Sequence, residues 1–146
     1  MTMLLPLWNG LVRTTHFDAD VIALADRHYS RRPGRRTQVG GPCRKLVLRD
    51  AAGLVAFVWL WPRDGMRWDG QNGFQCSLFR NESGRQSSEI ILEAEEIAVQ
   101  EWGNNRMYTY VDPSKVISVN PGYCFKRAGW RFERMSAVGK HLLVKG

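Results

Sequence analysis

The segment from Phe74 to Trp102 constrains this chain most. It holds an apolar run, a polar turn with one glycine, and then a long stretch of helical periodicity. In Ser88–Trp102 the apolar residues Ile90, Ile91, Ala94, Ile97, Ala98 and Trp102 recur every three or four positions and share one face. Glu89, Glu93, Glu96 and Glu101 fall toward water or the first turn, and Gly103 stops the helix. Such a stripe must be buried against another layer. Phe74–Arg80 before it and Met107–Val111 after it read as the strands that supply one.

The rest of the chain fits the same plan. Asp18 caps a predicted first helix that ends near His28, with Val21, Leu24 and Ala25 on its buried side. Arg31–Pro42, rich in Pro and Gly, reads as a mobile loop. Lys45–Leu48 and Leu54–Trp61 flank Asp50–Gly53 as an antiparallel hairpin. Pro62–Gly73 is a second loop, and Asp112-Pro113 ends the later strand. A short helix is expected over Pro121–Ala128 with Asn120 as cap and Pro121 at its first position. Trp130–Met135 and Leu142–Val144 complete the sheet. The order gives an α+β fold: a mixed, mostly antiparallel sheet flanked by helices, in a single domain spanning residues 1–146.

Charge and cysteines narrow the function classes. The formal charge is +7, and Arg27–Arg49 contains eight basic residues and no acidic one. That distribution favours anionic partners: nucleic acid, CoA phosphates or an acidic surface. Three cysteines without a CxxC pair argue against a disulfide scaffold or a zinc finger. The apolar run Leu54–Trp61 is too short to span a bilayer, and Met1–Trp8 lacks the form of a signal peptide. A soluble, cytoplasmic protein without a membrane partner is the expectation. Oligomeric state is left open, a dimer included.

The strongest local signal for chemistry is Phe79-Arg-Asn-Glu-Ser-Gly-Arg-Gln-Ser-Ser-Glu89. A strand gives way to a turn and then to a helix start, where N–H groups are free and the helix dipole adds positive potential. Gly84, Arg85, Ser87 and Ser88 are the candidate cofactor-binding residues, arranged as a pyrophosphate cradle. The same residues also read as an ordinary capped helix start.

In this order of elements the chain resembles the GNAT acyltransferase superfamily over roughly Leu46–Val144. Met107–Asp112 and Asn120-Pro-Gly-Tyr-Cys-Phe-Lys-Arg-Ala-Gly-Trp130 are similar to the family's next strand and closing helix. The resemblance implies acetyl-CoA or another acyl-CoA donor, with Tyr123 as general acid. The turn departs from the family's Gln/Arg-x-x-Gly-x-Gly/Ala by carrying Ser at its small-residue position. A narrower resemblance is to the Mom-type phage DNA-modification proteins, which act on adenine. Its residues here are His28, Tyr29, Arg80, Ser87, Asp112 and Tyr123. It implies adenine N6 carbamoylmethylation or a related acyl-type addition on double-stranded DNA, with iron a further implied cofactor through His28 and Asp112. The alternatives are a CoA-dependent N-acetyltransferase on a small amine or protein, and a non-catalytic DNA-binding domain.

The candidate catalytic residues are His28, Tyr29, Arg80, Asp112 and Tyr123. His28 suits a base or ligand, Asp112 a proton acceptor at a strand end, and Arg80 a guanidinium that needs Glu82, Asp112 or an anionic ligand as partner. Tyr29, Trp68 or Tyr123 suits stacking on an extruded base. Arg31, Arg32, Arg35, Arg36, Lys115, Lys126 and Arg127 are candidate phosphate contacts. No metal motif stands out.

Overall fold

The computed structural model describes residues 10–27, 43–62, 70–115 and 120–146. These form one seven-stranded sheet and three helices. The strands are β1 (Val12–Thr14), β2 (Cys43–Arg49), β3 (Val55–Pro62), β4 (Phe74–Asn81), β5 (Met107–Val111), β6 (Arg131–Met135) and β7 (His141–Lys145). The helices are α1 (Ala19–Asp26), α2 (Ser87–Trp102) and α3 (Tyr123–Arg127). Sheet order is β1-β2-β3-β4-β5-β7-β6. Every neighbouring pair is antiparallel except β4 and β5.

The expected hairpin forms because Asp50 closes its turn. Its Oδ1 accepts from the N–H groups of Leu54 at 2.8 Å and Val55 at 3.0 Å. Gly53 in that turn has φ 75°, and a Cβ there would lie 2.8 Å from the Asp20 carboxylate. The hairpin end and the start of α1 therefore touch. Arg49 joins them by pairing with Asp18 at 3.1 Å and Asp20 at 2.8 Å. Asp18 also caps α1, accepting from the N–H groups of Asp20 and Val21.

Two layers of side chains cover the sheet. Val21, Leu24 and Ala25 of α1 pack on Val47, Ala56, Val58 and Leu78. On the opposite face Ile90, Ile91, Ala94 and Ala98 of α2 pack on Leu46, Leu48, Phe57, Trp59 and Phe74. Alternate residues of β2 and β3 thus point to opposite helices, as period-two geometry requires. One buried α2 residue is charged. Glu95 is 9% exposed and accepts from the indole of Trp130 at 2.9 Å. Its other oxygen pairs with Lys145 at 2.7 Å.

Three details differ from the expectations. β1 was not foreseen; three residues offer too little periodicity to read. Trp130 lies in the core before β6 begins. The last helix starts at Tyr123, not at Pro121, because Gly122 sits at its N-cap with φ 74°. A Cβ on Gly122 would come within 2.3 Å of Leu143 Cδ1, so packing against β7 demands glycine there. Asn120 accepts from the Tyr123 N–H through its carbonyl at 3.1 Å and from Lys126 Nζ through its side chain at 2.6 Å. The expected Arg31–Pro42 loop falls within residues 28–42, outside the described residues.

Candidate functional site

The parallel pair β4–β5 is short. Only Phe74↔Met107, Gln75↔Tyr108 and Cys76↔Thr109 are in register. Beyond them β4 continues to Asn81 beside β3, and β5 to Val111 beside β7. The carboxyl ends of the two strands therefore part, and a notch opens between them. α2 begins just after β4, and α3 follows β5. Both helix starts lie at this same end of the sheet.

A bulge controls what faces the notch. Val58 pairs with Leu78 and the adjacent Trp59 with Cys76, leaving Ser77 as the extra residue of β4. The insertion reverses the facing of everything after it. Leu78 packs with the α1 layer and Phe79 with the α2 layer. Asn81 consequently turns toward the start of α2, and Arg80 turns toward α1.

Asn81 organises the following turn. Its Nδ2 donates to the Arg85 carbonyl at 2.9 Å and to Ser87 Oγ at 3.0 Å. Its Oδ1 accepts from the N–H of Ser83 at 2.9 Å and from that residue's hydroxyl at 2.6 Å. Ser83 Oγ accepts in turn from the Arg85 N–H at 3.2 Å. Arg85 is drawn along α2 by Glu93, at 3.0 Å. Glu93 also accepts from the Leu11 N–H, so the turn, α2 and the start of β1 share one carboxylate.

The N-terminus of α2 itself is left open. Gln86, its N-cap residue, makes no side-chain capping hydrogen bond. A Cβ on Gly84 would meet no atom within 4 Å. The first-turn N–H groups of α2 are thus available to water or an anion, beside the hydroxyl of Ser88. Glu89, exposed, is the acidic residue of that turn.

Two thiols lie toward the base of the notch. Cys76 is buried, and Thr109 across the last register pair donates to its carbonyl at 2.8 Å. Burial pushes the Cys76 thiol far above its ordinary range, and nearby Cys124 further opposes its ionisation. Burial raises Cys124 as well. Both remain thiols at neutral pH.

The other predicted residues divide as follows. Arg80 pairs with Glu82 at 3.0 Å and donates to the Arg27 carbonyl at 3.3 Å, and Arg27 grips the same carboxylate at 2.8 Å. Asp112 accepts from the N–H and hydroxyl of Ser114, bonds that hold its carboxyl below the usual range. It is an Asx-type turn closure with Lys115 and Lys140 nearby. Tyr123 is 53% exposed, and its hydroxyl accepts from Arg127 at 3.4 Å. His28, Tyr29, Arg31, Arg32, Arg35, Arg36 and Trp68 lie outside the described residues. No group of three or more His, Cys, Asp or Glu side chains among the described residues is placed to hold a metal ion. Ser77, Asn81, Glu93 and Glu95 are structural keys that sequence reasoning missed. Of these, only Asn81 had a local signal, an Asn two residues before a Ser at a strand end. A separate open depression of about 400 Å³, lined by Leu92, Val99, Met107 and Lys145 among others, lies away from the notch.

Compared by sequence, the chain matches no protein-family model and no curated protein. Compared by structure, it is similar to the aminoglycoside acetyltransferase AAC(6')-Ib in complex with coenzyme A. The TM-score is 0.61 at 15% identity, covering 93% of each chain. The same enzyme with coenzyme A and kanamycin gives 0.61 at 14% identity. An acyl-CoA N-acyltransferase from Pseudomonas aeruginosa gives 0.52 at 14% identity, over 93% of this chain and 97% of that one. With its mixed seven-stranded sheet, parted β4 and β5, and a turn leading into α2, the chain has the fold of the GNAT acyltransferases.

Proposed function

We propose that this protein is a CoA-dependent acyltransferase acting on an amine. The observation that carries the reading is the uncapped start of α2 beside the parted ends of β4 and β5. An open helix N-terminus suits a pyrophosphate. The Asn81–Ser83 network holds the turn in shape before any ligand arrives, so little ordering cost remains for binding. Gly84, Ser87 and Ser88 line the approach, and Arg85 adds a cation within reach of the turn. Bound there, acyl-CoA would supply an activated thioester. The notch between β4 and β5 would exclude water from it.

This reading stands ahead of adenine modification in DNA. Structural neighbours of the chain carry coenzyme A. The residues that pointed to adenine do not converge among the described ones: Arg80 is engaged by Glu82, Asp112 closes a turn, and Tyr123 is exposed under Arg127.

Titration with acetyl-CoA, followed by tryptophan fluorescence or calorimetry, tests the proposal. Ser88→Glu is the diagnostic variant. A carboxylate in the first turn favours the helix dipole but repels a pyrophosphate. Binding should weaken by at least about tenfold while the melting temperature holds or rises. Equal affinity in the two proteins removes the cradle. In acyl-transfer assays over an amine panel, Ser88→Glu should raise the KM for acetyl-CoA more than it lowers kcat.

A further inference from the structure

Five aromatic rings on the α2 side of the sheet touch in a closed circuit. Phe57 tilts against Trp59 with centroids 4.9 Å apart, and Trp59 stacks on Trp130 at 6.2 Å. Trp130 meets Phe125 at 4.9 Å, and Phe57 meets Phe79 at 5.2 Å. Phe79 and Phe125 close the circuit, edge to face at 82° with centroids 6.0 Å apart. Phe57, Trp59, Trp130 and Phe125 are buried, whereas Phe79 keeps part of its surface open.

The closing contact spans the notch. Phe79 lies three residues beyond Cys76, the last residue of β4 in register with β5. Phe125 belongs to α3, which follows β5 and is seated where Gly122 approaches Val111 and Leu143. One ring therefore comes from each side of the parted strands, in the layer that α2 covers. Rings at this distance touch edge to face, and no methylene chain passes between them. Neither ring has room to swing aside. Phe79 is backed by Phe57, and Phe125 by Trp130, whose indole Glu95 holds at 2.9 Å. Close-packed side chains of this kind resist displacement. The notch is accordingly shallow, and a group entering it from the start of α2 meets the two rings as a floor.

We propose that Phe79 and Phe125 form the floor of the acyl site and restrict the donor to short thioesters such as acetyl-CoA and propionyl-CoA. The inference rests on the acyl-transfer reading above and adds the donor class to it. A thioester anchored at the start of α2 and reaching into the notch brings its acyl end onto these rings. A methyl or ethyl group packs against them. A longer chain has to push the braced pair apart or fold back into water. A single methylene too many in an apolar pocket already discriminates about tenfold or more.

The test is calorimetric titration of the full chain with CoA, acetyl-CoA, propionyl-CoA and hexanoyl-CoA. Wild type should bind acetyl-CoA and propionyl-CoA alike, and hexanoyl-CoA at least about tenfold more weakly. Phe79→Leu and Phe125→Leu should each narrow that gap, and Phe125→Ala, which removes half of the floor, should close it. A gain in affinity for the longer donor does not come from lost stability alone. Phe74→Leu, in the same core at the other end of β4, is the control and should leave the gap as in wild type. Circular dichroism melts check that each variant is folded, and the two leucine variants carry the test if Phe125→Ala is not. Equal binding of acetyl-CoA and hexanoyl-CoA by wild type overturns the floor and leaves the acyltransferase reading standing. A gap that persists in every folded Phe79 and Phe125 variant, or that Phe74→Leu narrows as much, also overturns it. Wild type that binds none of the four compounds removes both readings.

Discussion

At the scale of single residues, a few polar side chains hold joints that no apolar residue can. Asp18 is the clearest case. It caps α1, accepts from Thr14 Oγ1 at 2.7 Å and pairs with Arg49. Burial works against its charge, yet the bonds from Thr14, the Val21 N–H and Arg49 outweigh it and lower its pKa below the ordinary 3.8. A carboxylate stabilised this way contributes above the unfolded-state pKa, and the contribution fades as pH falls through the lower folded value. Asp18→Asn keeps a capping oxygen but loses the charge. The stability gap between wild type and Asp18→Asn, read from urea unfolding, should be present at pH 7 and close progressively below about pH 4. A gap constant with pH would mean that the charge of Asp18 is immaterial. Asp18→Ala should cost about 1 kcal/mol more than Asp18→Asn at any pH by losing the cap.

At the scale of elements, irregularities do the positioning. The Ser77 bulge turns Asn81 toward α2 and Arg80 toward α1. The left-handed Gly122 stops α3 from starting early and seats it against Leu143 and Val111. Gly122→Ala should destabilise the protein by about 2–4 kcal/mol. A positive φ is costly for any L side chain, and Leu143 is fully buried with nowhere to retreat. Gly84→Ala is the control. That glycine has no positive φ and open space around its would-be Cβ, so its effect on stability should stay within about 0.5 kcal/mol. Comparable losses at the two positions, measured by the same chemical denaturation, would contradict this account of α3.

At the scale of the whole molecule, the sheet joins two halves with different partners. The α1 layer covers β2, β3 and β4. The α2–α3 layer reaches from β2 across to β7. Glu95 binds this second layer together, linking α2 to Trp130 ahead of β6 and to Lys145 on β7. Glu95→Ala strands a buried indole N–H without an acceptor and leaves Lys145 with the Ala128 carbonyl alone. A loss of about 2–3 kcal/mol is expected, with a change in tryptophan emission as Trp130 loses its partner. Unchanged stability and emission would show that the contact is dispensable. No helix among the described residues is long and apolar enough to cross a membrane.

What could be read along the chain is what local chemistry controls. The α2 stripe, the Asp18 cap, the Asp50–Gly53 turn, the Gly103 stop and the extent of β5 all follow from spacings within a few residues. The α+β plan and its mostly antiparallel sheet followed from the order of those elements. Pairings between distant residues had no such signature. The short β4–β5 register that opens the notch depends on where two strands separated by α2 come into contact. The bulge at Ser77 is legible only against β3, and the partners of Arg80 and Glu95 lie on other elements. Sequence periodicity reports which face of an element is apolar. Which charges meet, and where strands part, is decided by tertiary packing, because those contacts join groups tens of residues apart.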